Sequence, residues 1–330
     1  MARSVELHLG LNGACFAGRW EQPASWARIT AELGFPWFEL STDLTDPFLS
    51  GDYPSLIDQA RAVRKAAHEH HIGIIGIHAG LAPQLVHGLS HSDPIARQRM
   101  VEYVCQCMDI ALAMGAPRVG GRWDAFPVET VEQGEHAYNM ALRRQHEILR
   151  DLAQVGGDKS LAGLSYAKSC VPARTPCTLK QAEELLVEVN RGGAGCPVYL
   201  GIDVGQMAGQ AYGLEGRELD YLEWLRRYGA FAEVIHIQQT TPDAARGWPF
   251  VETYNTQGHV RIEAIVEAIQ ASHGQTNESW VSEVLKPVER TWLVLDVHGR
   301  TTLPEAKLLE DLAASAEYLK RRMPAGPLAV

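Results

Sequence analysis

Short β-rich runs alternate with longer amphipathic stretches along the whole chain, and this alternation constrains the fold more than any other feature. The predicted strands are nearly continuous apolar runs, at residues 5–11, 36–41, 72–78, 117–121, 162–167, 197–203, 232–238 and 279–285. Strands covered by helices on both faces have this composition. The predicted helices between them carry start and stop signals such as Pro94 and Gly115, and they include 55–71, 94–115, 178–190 and 303–323.

Eight strand–helix units in a chain of 330 residues favour a closed (β/α)8 TIM barrel, an α/β fold, over an open doubly wound sheet. No GxGxxG motif follows the first strand, so a dinucleotide-binding open sheet has no support. We find no low-complexity linker and therefore expect one domain over 1–330, with a short tail from about residue 324. The longer loops at 41–53, 168–177 and 239–259 would lie on the C-terminal face, where barrel active sites are built.

Charge and composition exclude several classes of protein. The formal net charge of -10 argues against a nucleic-acid-binding protein, which normally has a basic face. The sequence has no apolar run of about 18 residues that would span a membrane, and its N-terminal residues lack the apolar core of a signal peptide. The six cysteines form no CxxC pair, so we expect reduced thiols in a cytoplasmic protein with small-molecule partners.

Three polar residues interrupt the apolar runs of the last three predicted strands: Asp203, His236 and Glu283. Two carboxylates and an imidazole buried at one depth of a barrel require a compensating cation. Oxygen and nitrogen donors together suit Mn²⁺, Mg²⁺ or Co²⁺. The structural alternative is a hydrogen-bonded core histidine beside an aspartate that forms a turn.

The chain also resembles the xylose isomerase-like family of sugar isomerases and epimerases. The resemblance runs over nearly the whole length and is clearest in DLTDPF (43–48), HSDPIARQR (91–99), VPARTPCTLKQAEELLVEVN (171–190), GIDVGQ (201–206), IHIQQT (235–240), WPF (248–250) and SEVLKP (282–287). These segments are similar to a subgroup that includes tetrulose-phosphate epimerases and an oxo-isoapionate decarboxylase. The resemblance implies a homo-oligomer with one divalent metal per site, held by Glu, Asp, His and Glu on strands 5 to 8. Asp203, His236 and Glu283 match the last three of these ligands.

Ala167 stands where the family has its first metal-binding glutamate, which in the epimerases is also an acid/base group. Alanine can neither bind a metal ion nor move a proton. The replacement is either a natural divergence or an introduced Glu→Ala change, and the sequence leaves both open. A second departure is Arg122, where the subgroup often has histidine.

The candidates for substrate contact surround the predicted metal site and are Gln206, Gln238, Arg246, Trp248 and Lys286. Gln238 follows the metal-site histidine by two residues and so shares its face of the strand. Arg246 and Trp248 lie in the loop after strand 7 and are predicted to form a lid in which the guanidinium grips a carboxylate or phosphate. Solvated surface positions are the alternative for Gln206, Arg246 and Lys286.

The resemblance implies enolisation of a ketose, sugar phosphate or oxo-sugar acid through an enediolate, with Glu283 as general acid or base. Without a glutamate at 167, two-base epimerisation should be badly impaired. A metal-dependent decarboxylase needs only one protonation and is the main alternative. A glycoside-processing enzyme and a catalytically inactive sugar-binding barrel also remain open.

Overall fold

Eight parallel strands pair in chain order and close into a barrel. The structure is a computed structural model that describes residues 4–86, 88–193, 195–298 and 302–330. The barrel strands are β1 (Ser4–Asn12), β2 (Trp37–Ser41), β3 (Gly73–His78), β4 (Arg118–Gly121), β5 (Gly163–Ala167), β6 (Val198–Asp203), β7 (Val234–Ile237) and β10 (Arg290–Leu295). Closure comes from β10, which pairs in parallel with β1 from Glu6 opposite Arg290 to Leu11 opposite Leu295. The predicted (β/α)8 barrel is confirmed.

Helices cover the outside of the barrel, and several of them begin with a capping side chain. They are α1 (Pro23–Glu32), α2 (Tyr53–Glu69), α3 (Pro94–Met114), α4 (Val128–Glu132), α5 (Glu135–Asp158), α6 (Leu179–Asn190), α7 (Tyr221–Tyr228), α8 (Glu252–Asn255), α9 (Ile262–Gly274) and α10 (Glu305–Lys320). The side chains of Asp52, Asp93 and Thr178 cap α2, α3 and α6 by accepting backbone N–H bonds. None of the helices in the described ranges is long and apolar enough to cross a membrane.

The eighth predicted strand, 279–285, is wrong. Residues Trp280–Glu283 form a 3-10 turn capped by Ser279, and the strand that closes the barrel begins at Arg290. Burial explains the difference, since Trp280 is 67% exposed whereas Thr291 to Leu295 are all buried. The run that fits between two covered faces is therefore RTWLVL, which has no charged residue after its first position.

The loop after β7 folds into a small hairpin at the C-terminal end of the barrel. Its strands are β8 (Gln239–Thr241) and β9 (Ala244–Trp248), and Trp248 stacks on Tyr254 of α8 at a centroid distance of 4.7 Å. Near the last residue of the chain, β11 (Leu328–Ala329) pairs antiparallel with Ser4 and Val5 of β1.

Small residues on β4, β5 and β6 leave the barrel interior open on one side. Gly120, Ser165, Ala167 and Gly201 all line the interior, and Ala167 pairs in register with Gly201. The remaining strands present larger polar side chains at the same depth. The barrel mouth is therefore asymmetric, and this asymmetry positions the site.

Candidate active site

A cavity of about 730 Å³ occupies the barrel interior and reaches the C-terminal strand ends. Asn12, Glu39, His78, Asp203 and Asp296 line it at those ends. Because they come from β1, β2, β3, β6 and the residue after β10, the closed barrel brings together groups that are distant in sequence.

A chain of short hydrogen bonds fixes His236 within this cavity. Glu39 Oε2 accepts a bond of 2.6 Å from Asn12 Nδ2 and lies 2.7 Å from His236 Nε2. All three residues are at least 95% buried. Since Nε2 is engaged by the carboxylate, His236 Nδ1 is the ring nitrogen left for another partner.

Within this series of hydrogen bonds, Glu39 and His236 stabilise each other's charged forms. Burial by itself would raise the pKa of Glu39, but the charge and hydrogen bond of His236, with His78 and Asn12, hold it below its ordinary value. Burial would lower the pKa of His236, and the Glu39 carboxylate overcomes that effect and raises it to about 9. The pair is an imidazolium–carboxylate pair at neutral pH when nothing else binds the ring.

Asp203 ends β6 directly opposite His236 in the register of β6 and β7. Its Oδ1 accepts from Gly205 N at 2.8 Å and from Gln238 Nε2 at 3.0 Å. Burial and the nearby Asp296 carboxylate raise the pKa of Asp203. A bare Cβ at Gly205 would lie 2.1 Å from Gln238 Cδ, so glycine is what allows Gln238 to reach Asp203.

Asp296 follows β10 and supplies a further aspartate to the cavity, a residue that the sequence prediction missed. It is 8% exposed, and its Oδ2 lies 3.9 Å from His236 Nδ1, beyond hydrogen-bonding distance. Its buried Oδ1 accepts no hydrogen bond from any residue in the described part of the chain. The signal that points to Asp296 is the LVLDV run (293–297), which ends a buried strand with a carboxylate.

Two overlapping sets of side chains offer ligands for a cation. Glu39, His78 and His236 each have a ligand atom within 4.8 Å of the others. In that set, however, Glu39 Oε2 already bonds Asn12 and His236. The second set, Asp203, His236 and Asp296, is more open: Asp203 pairs in register with His236, and Asp296 Oδ2 lies 3.9 Å from His236 Nδ1. The orphaned Oδ1 of Asp296 is the kind of buried acceptor that a cation satisfies. Oxygen and nitrogen donors of this set fit a Mn²⁺- or Mg²⁺-type ion.

The opposite wall of the cavity is cationic. Arg122 is 6% exposed and donates from Nε to Ala167 O at 3.1 Å, from Nη1 to Gln84 Oε1 at 2.7 Å, and from Nη2 to Lys168 O. Lys168 Nζ donates to the carbonyl of Gln206 at 2.6 Å. Arg122 is therefore in direct contact with the backbone of Ala167.

Of the predicted substrate-contact residues, some line the cavity and others do not. Gln206 is half-buried and lines it. Gln238 is fully buried, and its side chain holds Asp203 and the backbone N–H of Gly247 instead. Arg246 and Trp248 lie on the hairpin, where Arg246 pairs with Asp243 at 3.0 Å, and neither lines the cavity.

Glu283 and Lys286 require a correction. Both are exposed on the segment that precedes β10, and neither lines the cavity. The prediction placed Glu283 at the inner face of a barrel strand, but its segment does not enter the sheet. In this structure Asp296, and not Glu283, is the carboxylate beside His236.

The sequence matches the model of the xylose isomerase-like TIM barrel over residues 27–321. The chain therefore belongs to the xylose isomerase-like TIM barrel family. No curated protein matches it significantly.

Several solved structures share the fold. A provisional xylose isomerase from Rhodospirillum rubrum superposes with a TM-score of 0.78 at 21% identity, covering 96% of this chain and 100% of that one. A D-psicose 3-epimerase from Clostridium cellulolyticum H10, solved with D-tagatose, gives a TM-score of 0.65 at 13% identity, over 95% and 98% of the two chains. An L-ribulose 3-epimerase gives a TM-score of 0.62 at 15% identity, over 96% and 92%. At these identities the likeness shows the common barrel fold.

Proposed function

We propose that this chain is a divalent-metal-dependent enzyme of the sugar isomerase and epimerase kind, which enolises a small sugar or sugar derivative. The observation that carries the proposal is the group of Asp203, His236 and Asp296, which lies at the ends of three barrel strands around the cavity. Family membership supports it. So do the sugar epimerases that share the fold.

Asp203, His236 and Asp296 are the residues that would hold the metal. Bound there, a Mn²⁺ or Mg²⁺ ion supplies Lewis acidity, which stabilises negative charge developing on a substrate carbonyl. Glu39 orients His236 through Nε2, and Gln238 orients Asp203. Such outer hydrogen bonds fix the direction of the ligand atoms and tune their basicity.

Asp296 is the residue we assign as the proton acceptor. Its orphaned Oδ1 would go to the metal, which leaves Oδ2 to accept the proton. Oδ2 lies 3.9 Å from His236 Nδ1 and 3.8 Å from His298 Nε2, beyond hydrogen-bonding distance of both. Across the cavity, Ala167 offers no acid or base, and the nearby Lys168 ammonium donates to a backbone carbonyl. One carboxylate can move a proton between neighbouring carbons on the same face of an enediolate. The site therefore favours one-base isomerisation over two-base epimerisation.

A second candidate is a metal-dependent decarboxylase of an oxo-sugar acid. Ala167 favours it, because loss of carbon dioxide generates an enediolate that needs only one proton delivery. The substrate in either case is a small sugar, sugar phosphate or sugar acid. A homo-oligomer and a cytoplasmic location stay predictions from the sequence.

The test is proton exchange in deuterium oxide. The protein with Mn²⁺ is incubated with a panel of ketoses, their phosphates and oxo-sugar acids, and NMR follows deuterium at the carbon next to the carbonyl and carbon dioxide release. We expect exchange or release that stops with a chelator and returns with Mn²⁺. Asp203→Asn should abolish it, whereas the exposed Glu283→Gln serves as the matched control. No metal-dependent turnover of any substrate on the panel would overturn the proposal.

A further inference from the structure

Three cationic side chains line one wall of the cavity. They are Arg122, Lys168 and Arg174, and none of them forms an ion pair with a residue in the ranges 4–86, 88–193, 195–298 and 302–330. Elsewhere the arginines of this protein are often paired, as Arg118 is with Glu233 at 3.2 Å. An arginine that is nearly fully buried normally has a counter-charge.

Not all of the N–H donors of Arg122 are used by hydrogen bonds. Neutral acceptors take three of its five N–H groups, namely Ala167 O, Gln84 Oε1 and Lys168 O. One N–H remains on Nη1 and one on Nη2, and guanidinium N–H groups are the donors that bind carboxylate oxygens most strongly. Burial lowers the pKa of Arg122 to about 10, and the charge of Arg174 acts in the same direction, whereas the Asp203 carboxylate opposes it. Arg122 and Arg174 both line the cavity, and neither has a carboxylate of the described residues within ion-pair distance, so we treat the two guanidinium groups as an anion site.

Space for the anion lies beside Ala167. Its register neighbour is Gly201, and the next inward-facing residue of β5 is Ser165. A Cβ added at Gly201 would lie only 3.3 Å from the Cβ of Ala167, so the lack of a side chain at position 201 keeps this part of the wall open. The backbone carbonyl of Ala167 is already capped by Arg122, which places the guanidinium at the edge of the same space.

We propose that the substrate is a sugar acid whose carboxylate binds in the space beside Ala167, between the guanidinium groups of Arg122 and Arg174. This inference rests on the proposed function, since it names the substrate class of the same cavity. It divides the cavity into two halves. The aspartate and histidine wall handles the carbonyl and hydroxyl end of the substrate, and the arginine wall holds its carboxylate.

Binding of matched ligands tests the inference without turnover. The probes are ribonate, ribitol and ribitol 5-phosphate, titrated calorimetrically into the Mn²⁺-loaded protein. They have the same five-carbon chain and differ in the terminal group. We expect ribonate to bind about tenfold to a hundredfold more tightly than ribitol, as a charge-assisted bidentate contact supplies. Ribitol binding as tightly as ribonate, or ribitol 5-phosphate binding more tightly, would overturn the carboxylate assignment.

Variants locate the site. Arg174→Gln should reduce the preference for ribonate at least several-fold, and it is not expected to unfold the protein because the Arg174 side chain has no hydrogen bond among the described residues. Ala167→Glu should remove the preference, because the new carboxylate pairs with Arg122 in place of the ligand. Arg246→Gln, on the hairpin outside the cavity, should leave it unchanged. A preference that survives both Arg174→Gln and Ala167→Glu places the carboxylate elsewhere.

The outcomes separate this inference from the proposed function. Metal-dependent exchange on neutral ketoses, together with equal binding of ribonate and ribitol, would refute the sugar-acid assignment and leave the proposed function intact. Selective ribonate binding without any metal-dependent turnover would refute the proposed function and leave the carboxylate-binding site supported.

Discussion

Replacing Glu39 with glutamine removes one negative charge and almost nothing else from the site. The Glu39 carboxylate bonds both Asn12 Nδ2 and His236 Nε2 through one oxygen, at 2.6 and 2.7 Å. The amide oxygen of glutamine can occupy that position and keep both contacts. The substitution therefore isolates the charge that orients and polarises His236.

The expected loss in metal affinity follows from the role of the carboxylate. Removing a carboxylate that supports a metal-binding histidine costs about tenfold to a hundredfold in affinity, or about 1.4 to 2.7 kcal/mol. At low pH, protons compete with the metal ion for the ring of His236, and this competition reduces the advantage that Glu39 gives. Glu39 raises the pKa of His236 to about 9, so at pH 7 a cation must displace a proton that Glu39 itself favours. At pH 9 that competition costs only about twofold.

The assay is calorimetric titration of Mg²⁺ into metal-free protein at pH 9 and pH 7. We expect Glu39→Gln to lose the full factor at pH 9 and a smaller factor at pH 7, because the variant also lowers the pKa of His236. Glu32→Gln, which breaks only an exposed pair with Arg28 on α1, is the control. An affinity within twofold of the unmodified protein at pH 9 would refute the positioning role. A loss beyond about a thousandfold would instead make Glu39 a direct ligand, as in the set with His78.

Two further predictions concern stability. Burial lowers the pKa of His146 in α5 from 6.5 to about 4, so the unfolded chain takes up this proton first and stability falls as the pH drops from about 6.5 to 4, by up to roughly 3 kcal/mol. Urea unfolding at several pH values should show this loss, and His146→Gln should flatten it; a profile identical to that of the unmodified protein would contradict the assignment. Gly205→Ala places a methyl 2.1 Å from Gln238 Cδ and should destabilise by about 1 to 3 kcal/mol in the same assay. Gly274→Ala, which meets no atom within 4 Å, should not, and equal effects of the two would refute the close-approach argument.

The barrel was predictable because seven of its eight strands are apolar runs bounded by helix and turn signals. The eighth was not, since SWVSEVL (279–285) and RTWLVL (290–295) are both apolar runs of strand length. Only packing separates them: Trp280 faces solvent, while Trp292 is buried in the barrel. Assigning the wrong run placed Glu283 in the site and left Asp296 out of it.

The candidate site was partly predictable for a related reason. Asp203 and His236 interrupt apolar runs, and for this reason the sequence predicts them as metal ligands. Asn12 ends β1, where a polar residue is as often a turn former, and Glu39 is a single charged residue within β2. Only barrel closure brings these two side chains to His236. The alanine at position 167 is visible in the sequence, but its contact with Arg122 depends on the pairing of β4 with β5.

Metal titration of the Asp296→Asn variant tests the central assignment most directly. The protein should bind about one Mn²⁺ per chain, and Asp296→Asn should weaken that binding at least a hundredfold, because it removes the buried carboxylate beside His236 Nδ1. Glu283→Gln should bind Mn²⁺ as the unmodified protein does. Unchanged binding by Asp296→Asn, or an equal loss in Glu283→Gln, would contradict the site described for this barrel.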